Sequence, residues 1–302
     1  MKSLQYILPA LLLSSSLMTG CKKEAKLTPS EKPEAVYNSH TLPQGNHPYD
    51  ADIQQLYDKY GTMFLYKYVY NDLYFNISFM NGGTYDTATN KTTIGGYFDV
   101  PADQAYIGAQ LDTLKAIWLN YYPDSLLKKG LPQKVFLVDS FYFAYPGPGR
   151  PLDNWPEFYE AYMGGDYILA TFGGARIQSI SPDEKYTLKG ELNTFFLTFA
   201  HASGAVKRRP DFTALTDYSA ITFLNYYSLG IIDYYNSTPE KDWDAYMKAI
   251  VSNSYATLTS PGNILDPSVD TSGLIRKKYD IVIAYFMSAF GVDLQAIGNA
   301  GS

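Results

Sequence analysis

Cysteine is almost absent from the 302 residues: Cys21 is the only one, so no intramolecular disulfide can form. Histidine is scarce as well, His40, His47 and His201 being all there are. The first two lie near the N-terminal end, which leaves His201 as the one imidazole deep in the chain. A zinc site made from several His and Cys ligands is therefore excluded, and only His201 with carboxylates is left for a metal. Long basic runs are missing too. The longest is Lys207-Arg208-Arg209, a triplet of the kind that complements a helix C-terminus, and nucleic acid is set aside as a partner. No repeat of fixed period occurs. The best apolar run, Leu4 to Leu17, is interrupted by Pro9 and by Ser14 to Ser16, and it is shorter than the roughly 20 residues needed to span a bilayer.

What that run does carry is a leader. Lys2 precedes it and Met18-Thr19-Gly20-Cys21 closes it, the pattern of a secretory signal peptide over residues 1–20. The stretch is similar to a bacterial lipobox, with Met18 where Leu is preferred, and the similarity implies that Cys21 becomes the lipid-bearing first residue of the mature protein. Several acyl chains on one cysteine anchor firmly, since each buried methylene adds about 0.8 kcal/mol. Lys22 after the cysteine implies sorting to the outer membrane. Residues 21–48 are rich in Lys, Glu, Pro and Ser, too poor in large apolar side chains to fold, and read as a flexible tether. Lys2 is the only charge in the leader, so the remainder carries 23 basic and 30 acidic side chains, a net of about −7. The folded part expected over residues 49–302 draws on the chain's 29 Tyr and 16 Phe for its core.

Periodicity along residues 49–302 predicts an α+β domain, with strands and helices first and a mostly helical second half. A short helix ends at Gly61. "TMFLYKYVYNDLYFNISFM" alternates as strands do, "NGGTYDTATNKTTIGG" reads as a long surface loop, and "YFDV" as a further strand. Ile107, Leu111, Leu114, Ile117 and Trp118 form a helical stripe closed by Pro123. "QKVFLVDSFYFAYPG" and "GGDYILATFGG" are apolar strands separated by a loop over 146–165. Helices are predicted over about 188–206, 220–234, 240–257 and 272–290, with a last short turn in "VDLQAIG".

On the helix predicted over about 188–206, which contains "NTFFLTFAHASGAV", Leu188, Leu192, Phe195, Phe196, Phe199 and Val206 fall on one stripe, a core face. Asn193, Leu197, His201 and Gly204 project from the opposite side without the Lys and Glu of a solvated face, so the helix is covered on both faces or floors a cleft. Four segments in order, "DIQQLYDKYGTMFLYKY", "NTFFLTFAHASGAVKRRPDF", "GIIDYYNSTPEKDWDAYMKAIV" and "LIRKKYDIVIAYFMSAFGVDLQAI", resemble the zinc-binding metallopeptidase lipoproteins of Bacteroidota. That family is associated with TonB-dependent substrate import. The resemblance covers most of the mature chain and implies a gluzincin-like scaffold whose helix carries His-Glu-x-x-His. Here the motif is degenerate. Leu197 stands at the first zinc-histidine position, Thr198 at the general-base glutamate and Lys241 at the start of an acidic pair, leaving His201 and Asp242 as vestigial metal positions. A catalytic zinc takes three protein ligands and a water whose proton the glutamate accepts; leucine has no lone pair and threonine is a poor base.

The resemblance thus implies an outer-membrane lipoprotein that is a pseudo-enzyme, with no catalytic residue and no cofactor, serving as a binding or accessory component of a TonB-dependent glycan or peptide import system. A zinc hydrolase using His201, Asp242 and a further ligand is the enzymatic alternative. A glycan-binding lipoprotein is a third, resting on Tyr145, Trp155, Tyr159 and Tyr162, which cluster in a Pro- and Gly-containing stretch. Ordinary readings stand beside these: His201 as a hydrogen-bonded groove histidine, Pro239-Glu240-Lys241-Asp242 as a helix start, and the aromatics as closing a core beneath a loop. The paired carboxylates Asp183/Glu184 and Asp242/Asp244 have no fixed separation and do not specify glycosidase chemistry.

Overall fold

The computed structural model describes residues 40–74 and 82–301. The leader, Cys21 and most of the expected tether lie outside the described residues. The chain divides into two units, Met1–Thr41 and Leu42–Ser302, and the architecture below is that of the second. Its order begins earlier than residue 49. Leu42 packs on the core, Gln44 accepts a hydrogen bond from the Tyr66 N–H (2.9 Å), and its own amide donates to the Lys67 carbonyl (2.6 Å).

Helix α1 (Pro48–Tyr60) stops where Gly61 takes the left-handed φ of 77° that a side chain disfavours. Strand β1 (Met63–Leu65) follows, and in the described part of the predicted strands beyond it a helical turn forms instead, α2 (Tyr70–Tyr74), while residues 75–81 lie outside the described residues. Asp72 is responsible: its carboxylate accepts the Val69 N–H at 2.7 Å and sets a turn where alternation alone suggests extension. The expected surface loop holds a hairpin, β2 (Thr84–Asp86) and β3 (Lys91–Ile94), joined through a turn in which Asp86 accepts from Ala88 N–H and Thr89 Oγ1. Strand β4 (Gly96–Pro101) and helices α3 (Ile107–Ile117) and α4 (Asp124–Gly130) lead to β5 (Lys134–Ala144), the 11-residue spine of the sheet.

Strand β5 runs parallel to β1 and to β9 (Tyr167–Ala170) in its first half and antiparallel to β4 and β7 (Glu157–Tyr159) in its second. The stretch expected as a loop therefore supplies β6 (Gly147–Pro148), β7 and β8 (Ala161–Met163), and β8 pairs antiparallel with β9 at one edge of the sheet.

The second half is helical: α5 (Pro182–Ala202), α6 (Pro210–Thr213), α7 (Pro239–Ser252), α8 (Tyr255–Thr259), α9 (Leu274–Phe290) and α10 (Leu294–Asn299). No helix forms over 220–234, where the segment makes only isolated 3₁₀ turns. Its polar side chains bond the nearby backbone instead: Asp217 caps Ser219 N–H, Asp233 caps Tyr235 N–H, and Asn225 takes Thr222 N–H. Leu188, Leu192 and Phe196 of α5 share one core with Trp243, Met247 and Ile250 of α7. Among the described residues no helix is long and apolar enough to cross a membrane.

Candidate functional cleft

Helix α5 starts on a capping box, Ser181 Oγ accepting from Glu184 N–H and Glu184 accepting from Ser181 N–H, with Pro182 in the first turn. The cap fixes the helix's entry and therefore the direction of each residue along it. The helix is covered on both of the faces considered above. Phe196 and Leu188 are buried on one, and on the other Asn193 is buried, its amide donating to the Ile117 carbonyl while its oxygen accepts from Tyr122 O–H. Leu197 is fully buried in the core and does not reach a cleft.

A third stripe of α5, Glu191, Thr194, Thr198 and His201, is spaced at intervals of three and four residues and so shares one face. Thr194 and Thr198 line a cleft of about 570 Å³ whose opposite wall is α7, through Lys241, Asp244 and Lys248. Asp233 and Asn236 close one side and Met163 of the edge strand β8 another. Two of the three positions expected from the sequence resemblance to be degenerate, Thr198 and Lys241, are thus brought to one cleft.

The carboxylate that reaches His201 is Asp244, whose Oδ1 lies 2.6 Å from His201 Nδ1. Asp242 is turned away, because two residues along a helix is a rotation of about 200°. It is buried against α9, where Lys278 Nζ (2.6 Å) and Tyr218 O–H (2.7 Å) both donate to its Oδ2 while Oδ1 has no hydrogen-bond partner. Lys278 is itself fully buried, 4.7 Å from the ring centroid of Phe212 and 5.4 Å from that of Tyr218. Burial pushes the Asp242 carboxyl up and the Lys278 ammonium down from their ordinary values. The pairing of His201 with Asp242 as metal ligands is corrected on this point: Asp242 belongs to a closed core ion pair.

Among the described residues, the expected ligand positions are not gathered into a zinc ligand set. Leu197 is in the core, and Thr198 donates its hydroxyl to the Thr194 carbonyl at 3.0 Å. Lys241 brings a cation to the wall, and Glu240 beside it is held by Arg208 at 2.6 Å. Among the described residues no group of three or more His, Cys, Asp or Glu is placed to hold a metal ion. His201 and Asp244 form an oriented imidazole–carboxylate pair; the Thr198 hydroxyl is committed as described, Ser203 Oγ donates to the carbonyls of Lys129 and Ala200, and the Thr194 and Ser252 hydroxyls of the cleft lining lie 3.2 Å apart.

Glu191, at the N-terminal end of the same stripe, went unnoticed in the sequence. Its carboxylate accepts the Ala161 N–H of β8 at 2.7 Å, tying the sheet edge to α5, and burial pushes it up to about 7. Lys248 was also missed, and Asp244 was considered only as half of a carboxylate pair with Asp242, although the three- and seven-residue steps from Lys241 mark Lys241, Asp244 and Lys248 as one face of α7.

The four aromatics of the 145–162 stretch divide. Tyr159 and Tyr162 pack with Tyr97 and Phe141 against the sheet and are structural. Tyr145 and Trp155 are exposed, and Trp155 sits at a positive φ of 47°.

No family model and no curated protein matches the sequence. A crystal structure from Bacteroides caccae ATCC 43185, described as a "putative zinc-binding metallo-peptidase", is similar at a TM-score of 0.46 and 13% identity, over 85% of this chain and 92% of that one.

Proposed function

We propose that this protein is a lipid-anchored, non-catalytic binding component of an outer-membrane, TonB-dependent import system, built on a metallopeptidase-like scaffold and using the cleft between α5 and α7 to hold a ligand. The observation that carries the reading is the fate of the motif positions: the cleft is open, but Leu197 has gone to the core, Thr198 is back-bonded to its own helix, and Lys241 lines the wall. The import association and the anchor rest on the sequence resemblance and on the lipobox ending at Cys21.

The test is hydrolysis of a mixed peptide and amide panel by the full chain, with stoichiometric zinc and with chelator. No turnover under either condition is expected. Turnover lost on chelation would establish the enzymatic alternative and reject this reading. The anchor is tested separately by metabolic palmitate labelling, which should disappear in Cys21→Ser; labelling that persists would place the lipid elsewhere, and none in the wild type would remove it.

A further inference from the structure

The cleft is unevenly provided with partners. Its two carboxylates are supplied with donors: Asp244 has His201, and Asp233 accepts from Tyr235 N–H (3.1 Å) and from the Asn236 amide (2.7 Å). Its two ammonium groups, Lys241 and Lys248, face the same space seven residues apart on α7 and make no hydrogen bond or ion pair among the described residues. Glu191 lies close enough to Lys248 to interact with it electrostatically, and one of its oxygens accepts the Ala161 N–H. A ligand entering here meets available cations and hydrogen-bonded anions, a bias towards negative charge.

The segment that carries Asp233 and Asn236 also carries a ledge of aromatic rings. Tyr234 lies between them in the chain, and its ring is 5.4 Å from Tyr235 and 5.6 Å from Phe223. Tyr235 is 84% exposed and Phe223 63%. Exposed aromatic faces on the segment that also lines a cleft with charged side chains fit a ligand that is itself two-faced, with C–H surfaces to stack and polar groups to bond.

We infer that the cleft binds an acidic oligosaccharide, its sugar rings stacked on the ledge of Phe223, Tyr234 and Tyr235 and its carboxylate held by Lys241 and Lys248. The inference rests on reading the cleft as a ligand site and adds the chemical class of the ligand. It places sugar recognition on the 218–236 segment rather than on the 145–162 stretch.

Calorimetric titration of the full chain tests it with three probes: tetragalacturonate, neutral β-1,4-galactotetraose, and tetraglutamate. Tetragalacturonate is expected to bind, and the neutral sugar about tenfold or more weakly, the loss of one charge-assisted bond. Lys241→Gln/Lys248→Gln should weaken tetragalacturonate by at least about tenfold, and Tyr235→Ala should weaken it too. All three positions are exposed or at the cleft surface, and an unchanged melting curve verifies folding. No binding of tetragalacturonate, or binding that neither variant changes, overturns the inference. Tetraglutamate binding as tightly and indifferently to Tyr235→Ala also overturns it, but that result would keep the cleft as a non-catalytic binding site, so the two readings fail separately.

Discussion

Asp242 and Asp244 show how two identical side chains two positions apart acquire opposite work. One is sealed in the core on Lys278 and the other, in the cleft lining, pairs with His201. A fully buried ion pair holds together because neither charge can be left alone, although the pair itself adds little net stability. Lys278→Met alone should therefore destabilise the fold by about 3–5 kcal/mol, and adding Asp242→Leu should recover much of that loss. Denaturant melts of the two variants decide the matter; a double variant no more stable than the single would show that the pair is stabilising in its own right. Before a structure, the residue scale was the least legible. His201, Thr198 and Lys241 could be named from their motif positions, but the choice between Asp242 and Asp244 depends on the phase of α7 and on a lysine 36 residues away in sequence.

At the scale of elements, Glu191 couples the edge strand β8 to α5 through one hydrogen bond. Its carboxyl titrates near 7 when folded and near 4.5 when unfolded. Between those values the native state holds a proton that the unfolded chain has released, so this group's contribution to stability is fully present below about 4.5 and is lost as pH rises through 7. Glu191→Gln keeps an acceptor for Ala161 N–H and removes the charge. Its Tm should exceed that of the wild type at pH 8 and converge on it at pH 5; a gap independent of pH would contradict the burial that raises this carboxyl. Elements with a long regular pattern were readable: α1 with its Gly61 stop, the β5 spine, β9 and α9. Several failures share one cause, local side-chain bonds that compete with periodicity, as at Asp72 for α2, Asp86 for the hairpin and Asp217, Asn225 and Asp233 in the segment where a helix was expected, whereas β7 and β8 in the expected loop form by pairing with the distant strands β5 and β9.

Over the whole molecule, the helical half is closed by its last element. Lys189 of α5 is almost fully buried and donates to the carbonyls of Ile297, Gly298 and Ala300, gripping the C-terminal end of α10 where unpaired carbonyls gather. Leu294 and Ile297 are buried beneath it. Ending the chain at Val292 should cost several kcal/mol, about what two vacated core side chains imply, and Lys189→Met should cost less; equal melting of the truncated and full chains would contradict that role. The α+β order was legible from composition and periodicity, whereas the cleft was not. It is made by the approach of α5 and α7, separated by a long irregular connection, and no local pattern encodes that distance.

On the proposed reading, side chains and not the scaffold keep metal out of the cleft. Zinc content after dialysis against trace zinc tests it, comparing the full wild-type chain with Thr198→Glu/Lys241→Glu, which places two carboxylates on the cleft walls near His201. The prediction is no stoichiometric zinc in the wild type and a clear gain in the double variant. Near one zinc per wild-type chain, lost in His201→Ala, would contradict it.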